Sequence, residues 1–461
     1  MISKDKPTER GQAIVMIVLA MVVLLGFTAL AIDGAMVYSD RRFAQSGADS
    51  ASLAGAGMTA RWLAARGVTY NSFGVSGTTC TGDTLFAANK GLDAAVARAG
   101  DNDAVIDKDP SDGNGVEASC GIEAITSPTA GGSSFTVFYD KYIEIRTTVT
   151  RQTQTAFAHF VYSGEMQNTV TSVTRIRPPQ PLAFGYAIVA LNPNGCSGNS
   201  AGVQSGGSLT GTIIGGGVFT NGCMDHDGNK KVKIYNGSVA YFYGGGGVSA
   251  NYELYDAGGN LITTNRPLAQ LTDTNARIPL SAYDVPMPNC DATGAHRGSA
   301  ASLLYGRSGL SGLYCIDDGN GIDVHNAGGS FSGTDMTIVV MGGNVTLNGG
   351  SVSVQAPADP YTGPAIAGVA LYLPTQYYGP SPASCGDVNQ EIKINGNNTS
   401  NWNGSILAPC SDISLEGGSI TNALKAQVIG WNVNTRGNAN LFVDFSSSNK
   451  HTNPSTLDLF R

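Results

Sequence analysis

The chain has 461 residues, room for two or three domains, with 35 acidic against 27 basic side chains and a formal net charge of -8. No electrostatic footprint for nucleic acid or an anionic lipid surface is present, so nucleic acid is excluded as an expected partner. Charged residues are only 13 % of the chain while glycine numbers 61, a balance unlike a helical cytosolic enzyme and close to a Gly-punctuated, turn-rich β protein.

Residues 13–32, AIVMIVLAMVVLLGFTALAI, are uncharged and apolar over about the twenty residues that a helix needs to cross a hydrocarbon core ~30 Å thick. A single transmembrane helix is predicted there, after a short tail of residues 1–12. Lys4, Lys6 and Arg10 lie in that tail, and the positive-inside rule keeps it cytoplasmic. The bulk of the chain is then periplasmic or extracellular. Arg41 and Arg42 oppose this orientation, but they stand about two helical turns beyond the run and follow Asp33 and Asp40. Ala29-Leu30-Ala31 would suit a signal peptidase, yet the run exceeds the ~7–15 residues of a signal h-region. Processing at Gly11, as in pilin precursors, would want Glu where Met16 stands.

From residue 33 to residue 177 a helix extension and a small α+β neck are expected. Ala44, Ala48, Ala51, Gly55, Met58 and Trp62 recur at alternating steps of four and three, one stripe of a helix. Small side chains let a second helix approach closely, either another pilin-like protein or this chain's own globular part. Residues 92–99 read as a short helix, and the Asp- and Gly-rich stretch 101–121 as loop. The period then changes to two: residues 142–150 and 169–176 are alternating, β-branched strands joined by an apolar link at 156–162.

Pro178, Pro179 and Pro181 place a domain boundary at residues 177–183. From residue 183 to 461, short Val/Ile/Leu/Thr runs alternate with Asn-Gly and Gly-Gly turns. The stretches beginning at Ile392, Ile413 and Val433 recur about every 20 residues, and a second strand type at 405–409 and 427–431 repeats in phase. Residues 337–343, 345–350 and 206–222 read as further rungs. That spacing fits a parallel β-helix, whose coils bury their apolar faces only by stacking. The alternative is an antiparallel β-sandwich. The expected fold is therefore mainly β, with an N-terminal transmembrane α-helix, a small α+β pilin-like neck and a parallel β-helix-like region.

All eight cysteines, Cys80, Cys120, Cys196, Cys223, Cys290, Cys315, Cys385 and Cys410, follow the apolar run, as disulfides formed in an oxidising compartment would. Pairing of sequence neighbours is the simplest of 105 connectivities; buried thiols are the alternative. No pair has the CxxC spacing of a zinc site.

Residues 8–57 resemble the N-terminal segment of TadG-like proteins of the Flp/Tad pilus-assembly family, in the opening Arg10-Gly11-Gln12-Ala13, the apolar run, the exit Ala31-Ile32-Asp33-Gly34 and the helix from Gln45 to Ala56. The resemblance implies a component anchored in a bacterial cytoplasmic membrane, with other pilin-like or secretion-system proteins as partners. Residues 142–176 are also similar to the strand, link and strand that come after the helix in such pilin-like proteins. Some members carry a von Willebrand A domain, whose metal site opens with an apolar strand and Asp-x-Ser-x-Ser; residues 441–448 have that form but read better as a last β-helix strand.

Little else suggests chemistry. Asp225, Asp227 and Asn229 put oxygens at alternate positions, as Ca²⁺ loops do, but Lys230 stands where such a loop wants Gly, and an Asx-turn fits as well. Asp107–Gly113 invites the same two readings, and Asp317–Gly321 reads as a turn. No cofactor is expected beyond that Ca²⁺ candidate. Asp412, Glu416 and Asp444 are too scattered for the paired carboxylates of a β-helix glycosidase or lyase, and no nucleophile signature is present, so catalysis is not expected. Tyr241, Tyr243, Tyr252, Tyr255, Tyr361, Tyr372, Tyr377 and Tyr378 could stack on a surface carbohydrate or a partner protein, or cap β cores.

Overall fold

Helix α1 (Arg10–Ala65) carries the apolar run and the small-residue stripe in one uninterrupted rod. The computed structural model describes residues 10–158, 166–194, 202–207, 211–227, 231–244, 251–263, 268–278, 285–325, 327–358, 361–378, 385, 391–395, 400–417, 424–437 and 441–460. Among them α1 alone is long and apolar enough to cross a membrane. Its large side chains between Ile14 and Leu30 are exposed on every side of the helix. A helix apolar all round needs an apolar surround, such as a membrane supplies.

The chain forms two compact units: Met1–Glu123, Asp140–Pro179 and Pro454–Arg461 make the first, Ala124–Tyr139 and Gln180–Asn453 the second. The break after Pro179 falls inside the expected boundary. Two segments depart from the expected domains: residues 124–139, counted with the neck, belong to the second unit, and the C-terminal strand returns to the first.

In the first unit α1 packs on α2 (Gly82–Asp101) and on a four-stranded sheet ordered Gly115–Pro128, Ser134–Thr153, Met166–Arg177, Thr456–Phe460. Helix α2 starts ten residues before the expected short helix. Its buried face is Thr84, Ala88, Gly91, Ala95 and Ala99, so weakly apolar that the period is faint in sequence. This face meets the stripe of α1, where Ala44, Ala48, Ala51 and Gly55 are buried, and Trp62 packs edge-on to Phe86. A Cβ on Gly91 would lie 2.0 Å from the Thr59 hydroxyl, and one on Gly55 would lie 2.9 Å from the Gly91 carbonyl oxygen. Only glycine permits that approach. The stripe is thus covered within its own unit, the second of the two alternatives that its small side chains left open.

The stretch expected as loop becomes a strand at Gly115, tied to the short strand Thr79–Cys80 ahead of α2 by the Cys80–Cys120 disulfide. Before it, Asp107, Asp109 and Asp112 each accept a backbone N–H two residues on, a run of Asx-turns. At the sheet's other side Arg177 donates to both oxygens of buried Asp140 and also pairs with Asp458 of the C-terminal strand. Its hydrogen bonds to Asp140 hold the Arg177 guanidinium above its ordinary pKa.

The second unit is a parallel β-helix built on two large sheets among the described residues. Every pairing in its two large sheets is parallel among the described residues, which disposes of the antiparallel sandwich. Equivalent positions stack: Ile392, Ile413, Val433 and Val203 lie in register on successive coils and enter one interior core.

The order of the coils does not follow the sequence. Along one face the strands run Gly321–Val324, Asn344–Leu347, Glu391–Asn395, Asp412–Gly417, Val433–Gly437, Val203–Gly207, Cys223–Asp227, Tyr243–Gly244. The chain enters in mid-stack at Ile188–Ala190 and winds to the end formed by Tyr252–Tyr255. It then passes to the opposite end at Ala295–Gly298 and winds back until Val428–Gly430 pairs with Ile188–Ala190. The crossing segment lies on the outside of one face, where Leu271, Ile278, Val285 and Cys290 share a second core with Phe219, Leu313, Tyr372 and Ile429. It is pinned by the Asn221 side-chain amide, which donates to the Ile278 carbonyl and accepts the Ile278 N–H, each at 2.7 Å. Tyr372 donates to the Val285 carbonyl at 2.6 Å, and Cys290 is bonded to Cys315.

Where the chain enters, Ala183, Phe184 and Gly185 all have left-handed φ of 51°, 53° and 83°. A left-handed turn costs L-residues roughly 1–2 kcal/mol each, so it needs outside support. The buried Gln427 amide supplies it, donating to Leu182 and Tyr186 carbonyls at 2.7 and 2.8 Å. Across the same seam the Asn192 amide donates to Asn432, whose own amide donates to Asp412 at 2.8 Å.

Candidate functional site

The best-built polar contact in the first unit is made by Asp33, one residue past the apolar run. Its carboxylate accepts the backbone N–H groups of Ala156, Phe157 and Ala158 at 2.5 to 3.1 Å and is itself buried. Three consecutive N–H groups converging on one carboxylate form an anion-holding nest, which satisfies donors that would otherwise face a low-dielectric boundary. In sequence Asp33 stands out only as the first charge after the run; its partners, more than 120 residues later, carry no polar signature.

A groove of ≈710 Å³ opens on the second unit. The tip residues Ser133, Ser134, Phe135 and Tyr139 form one wall, and Ser238 and Gln270 part of the other. Tyr139 is about half exposed, while the Gln270 amide donates to the Phe242 carbonyl at 3.1 Å, fixing its orientation. Aromatic edges set among hydroxyls and an amide suit a neutral, hydroxyl-rich ligand. The sequence gives no sign of this site because its walls, from Tyr139 to Ser238 at the nearest, lie 99 residues or more apart.

The cation candidates are placed otherwise than expected. Asp225 and Asp227 stand in the strand Cys223–Asp227, paired in register with Gln204 and Gly206, and Asn229 lies outside the described residues. Among the described residues no group of three His, Cys, Asp or Glu could hold a metal ion. The second acidic turn is an Asx-turn in which Asp318 accepts the Asn320 N–H.

The scattered carboxylates of the coils each have a rung-to-rung or local role. Glu416 bonds Lys393 of the neighbouring coil at 2.8 Å, Asp412 takes the Asn432 amide, and Asp444 takes the Ser446 and Ser447 hydroxyls. Burial, opposed by the Asn432 bonds, pushes the Asp412 carboxyl above its ordinary value. Residues 441–444 form the last β-helix strand, parallel to Gly211–Ile214.

The tyrosines divide. Tyr241, Tyr252 and Tyr372 are buried, and burial pushes Tyr252 up to about 12, the Ser205 hydrogen bond opposing it. Tyr243 and Tyr377 are about half exposed, and Tyr255 stacks on Tyr235 at 4.6 Å on adjacent coils.

Cysteine pairing follows sequence neighbours where it is described: Cys80 with Cys120, Cys290 with Cys315, Cys385 with Cys410. Cys223 is also disulfide-bonded, and Cys196 lies outside the described residues.

These features define a membrane-anchored protein with an apolar N-terminal helix, a small α+β unit and a disulfide-bonded parallel β-helix. Residues 11–59 match the Tad family model, described as putative Flp pilus-assembly TadE/G-like. The match supports a Flp/Tad pilus-associated role for this chain. No curated protein and no solved structure matches it.

Proposed function

We propose that this chain is an exported component of a Flp/Tad-type pilus or secretion system, single-pass with its N-terminus in the cytoplasm, whose β-helix is a structural or adhesive head. The observation that carries the reading is the family match lying on the very helix that anchors the protein. Lys4, Lys6 and Arg10 before the run favour the orientation, and the disulfides favour an oxidising compartment outside the cytoplasm. The head is read as non-catalytic because Asp412, Glu416 and Asp444 already serve packing and pairing. Its partners would be other pilin-like or secretion-system proteins, with a surface carbohydrate or protein as ligand of the groove.

The test is fractionation with protease shaving. In spheroplasts, added protease should degrade the head while a membrane fragment containing the run survives, and crosslinked complexes should contain other pilus-system proteins. Protection of the head with cysteines reactive to a membrane-impermeant thiol reagent only after lysis would overturn the orientation. Binding of the full chain to immobilised neutral glycans, lost on Phe135→Ala with Tyr139→Ala, would establish the adhesive role; absence of binding to both glycans and host-surface proteins would leave the head structural.

A further inference from the structure

The Asp33 nest fixes a distant loop at the level where the chain leaves the bilayer. Asp33 directly follows the apolar run, so its carboxylate marks the boundary of the hydrocarbon core, and the backbone of residues 156–158 is held against it. Phe157 is 44 % exposed there. On α1, Ile32 and Met36 are exposed to nearly the same degree, and the sequence Ala-Phe-Ala-His-Phe-Val-Tyr from Ala156 to Tyr162 contains no Asp, Glu, Lys or Arg. Charges resume only at Asp40, Arg41 and Arg42, seven to nine residues further on, or about 10–14 Å along a helix. That rise exceeds the ~5–7 Å of headgroup layer on each side of a bilayer, so the cations reach its outer edge while Phe157 stays at its base. Aromatic side chains settle at this depth, where an apolar ring and nearby polar groups are both satisfied.

We propose that the backbone of residues 156–158 is a second membrane contact, held on the exit of the span by Asp33 and laying Phe157 into the boundary between headgroups and acyl chains. The occupant of this surface is lipid, because exposed Phe157 is held on backbone that bonds the first residue after the apolar run of α1. The contact fixes the depth of α1 and stops the rod from sliding along the membrane normal. Asp33 is a positioning residue in this arrangement, and it explains why a carboxylate is placed where desolvation is costly: three N–H groups compensate it.

The experiment uses the unaltered full chain in vesicles of phosphatidylethanolamine and phosphatidylglycerol containing a lipid with a diazirine in its acyl chain. After irradiation and digestion, the tryptic peptide 152–175 should carry label alongside α1. Its labelling should exceed that of peptides from the second unit by about tenfold, the partition expected for burying a Phe side chain. Asp33→Ala should remove most label from this peptide and leave α1 labelled, with the Cys80–Cys120 disulfide retained as evidence of folding. Labelling of 152–175 no higher than that of the β-helix peptides would overturn the proposal, as would unchanged labelling in folded Asp33→Ala. If Asp33→Ala does not fold, the pattern in the unaltered chain decides alone. This outcome is independent of the pilus assignment, since the vesicles hold no other protein.

Discussion

The two units solve the same burial problem in opposite ways. In the first, two helices meet through alanine and glycine, and a Cβ at Gly91 would intrude to 2.0 Å from a neighbouring atom. In the second, large aliphatic side chains repeat on successive coils, and each position is buried by its equivalents above and below. Close approach of backbones tolerates no added volume, whereas a stack is approximately a sum of neighbouring interfaces. The first unit should therefore fail as a whole, and the second should fray locally.

The sharpest break of that contrast is Gly91→Leu. Overpacking typically costs about 1–3 kcal/mol and more where backbone must move, so this substitution should unfold the first unit, at about 3 kcal/mol or beyond. Two-step thermal denaturation followed by circular dichroism should lose its helical transition while the β-rich transition persists; simultaneous loss of both would show that the units are not energetically separate.

Removing the staple of the crossing segment should have a smaller effect. Cys290 and Cys315 close 25 residues, and replacing both by Ala should cost the second unit about 3 kcal/mol in the chain-entropy account, less if the second core holds the strap unaided. The expected readout is protease cleavage in the crossing segment before global unfolding; unchanged cleavage kinetics would show that apolar burial alone fixes it.

Asp412→Asn should give the smallest change and refine the stacking picture through its pH dependence. Burial raises the folded carboxyl above its ordinary value of 3.8, so the folded state favours the protonated form. The stabilising contribution is complete below that ordinary value and is lost as pH rises through the folded pKa. The Asn variant should thus melt slightly higher than the parent at pH 7, and the two melting curves should converge on acidification below about pH 4. A gain that stays constant with pH would assign it to the amide's hydrogen bond to Asn432 rather than to relief of a buried charge.

Much of this was legible in particular residues. The apolar run and the small stripe announced α1, the prolines at 178, 179 and 181 bracketed the unit boundary, and the repeats at 392, 413 and 433 do stack on one face. Less was legible where the signal is dilute. Gly82–Asp101 hides half its length because a face of Ala, Gly and Thr barely raises the apolar period. Asp225 and Asp227 look like a cation loop because alternation of acidic side chains is also what one side of a strand shows. The groove was invisible because Phe135 and Gln270 meet only through folding.

Local pattern by itself determined the long apolar helix, the two alternating strands of the neck and the repeating strands of the coils, because periodicity and transfer free energy act residue by residue. Tertiary structure alone decided that residue 433 lies beside residue 203, that the crossing strap covers one face, that residues 456–460 complete the first unit's sheet, and that Asp33 holds Phe157. The reason is that coils of similar sequence can stack in many orders with nearly equal local energy, and only the seam contacts of Asn192, Gln427 and Asn432, with the strap's own core, select one of them.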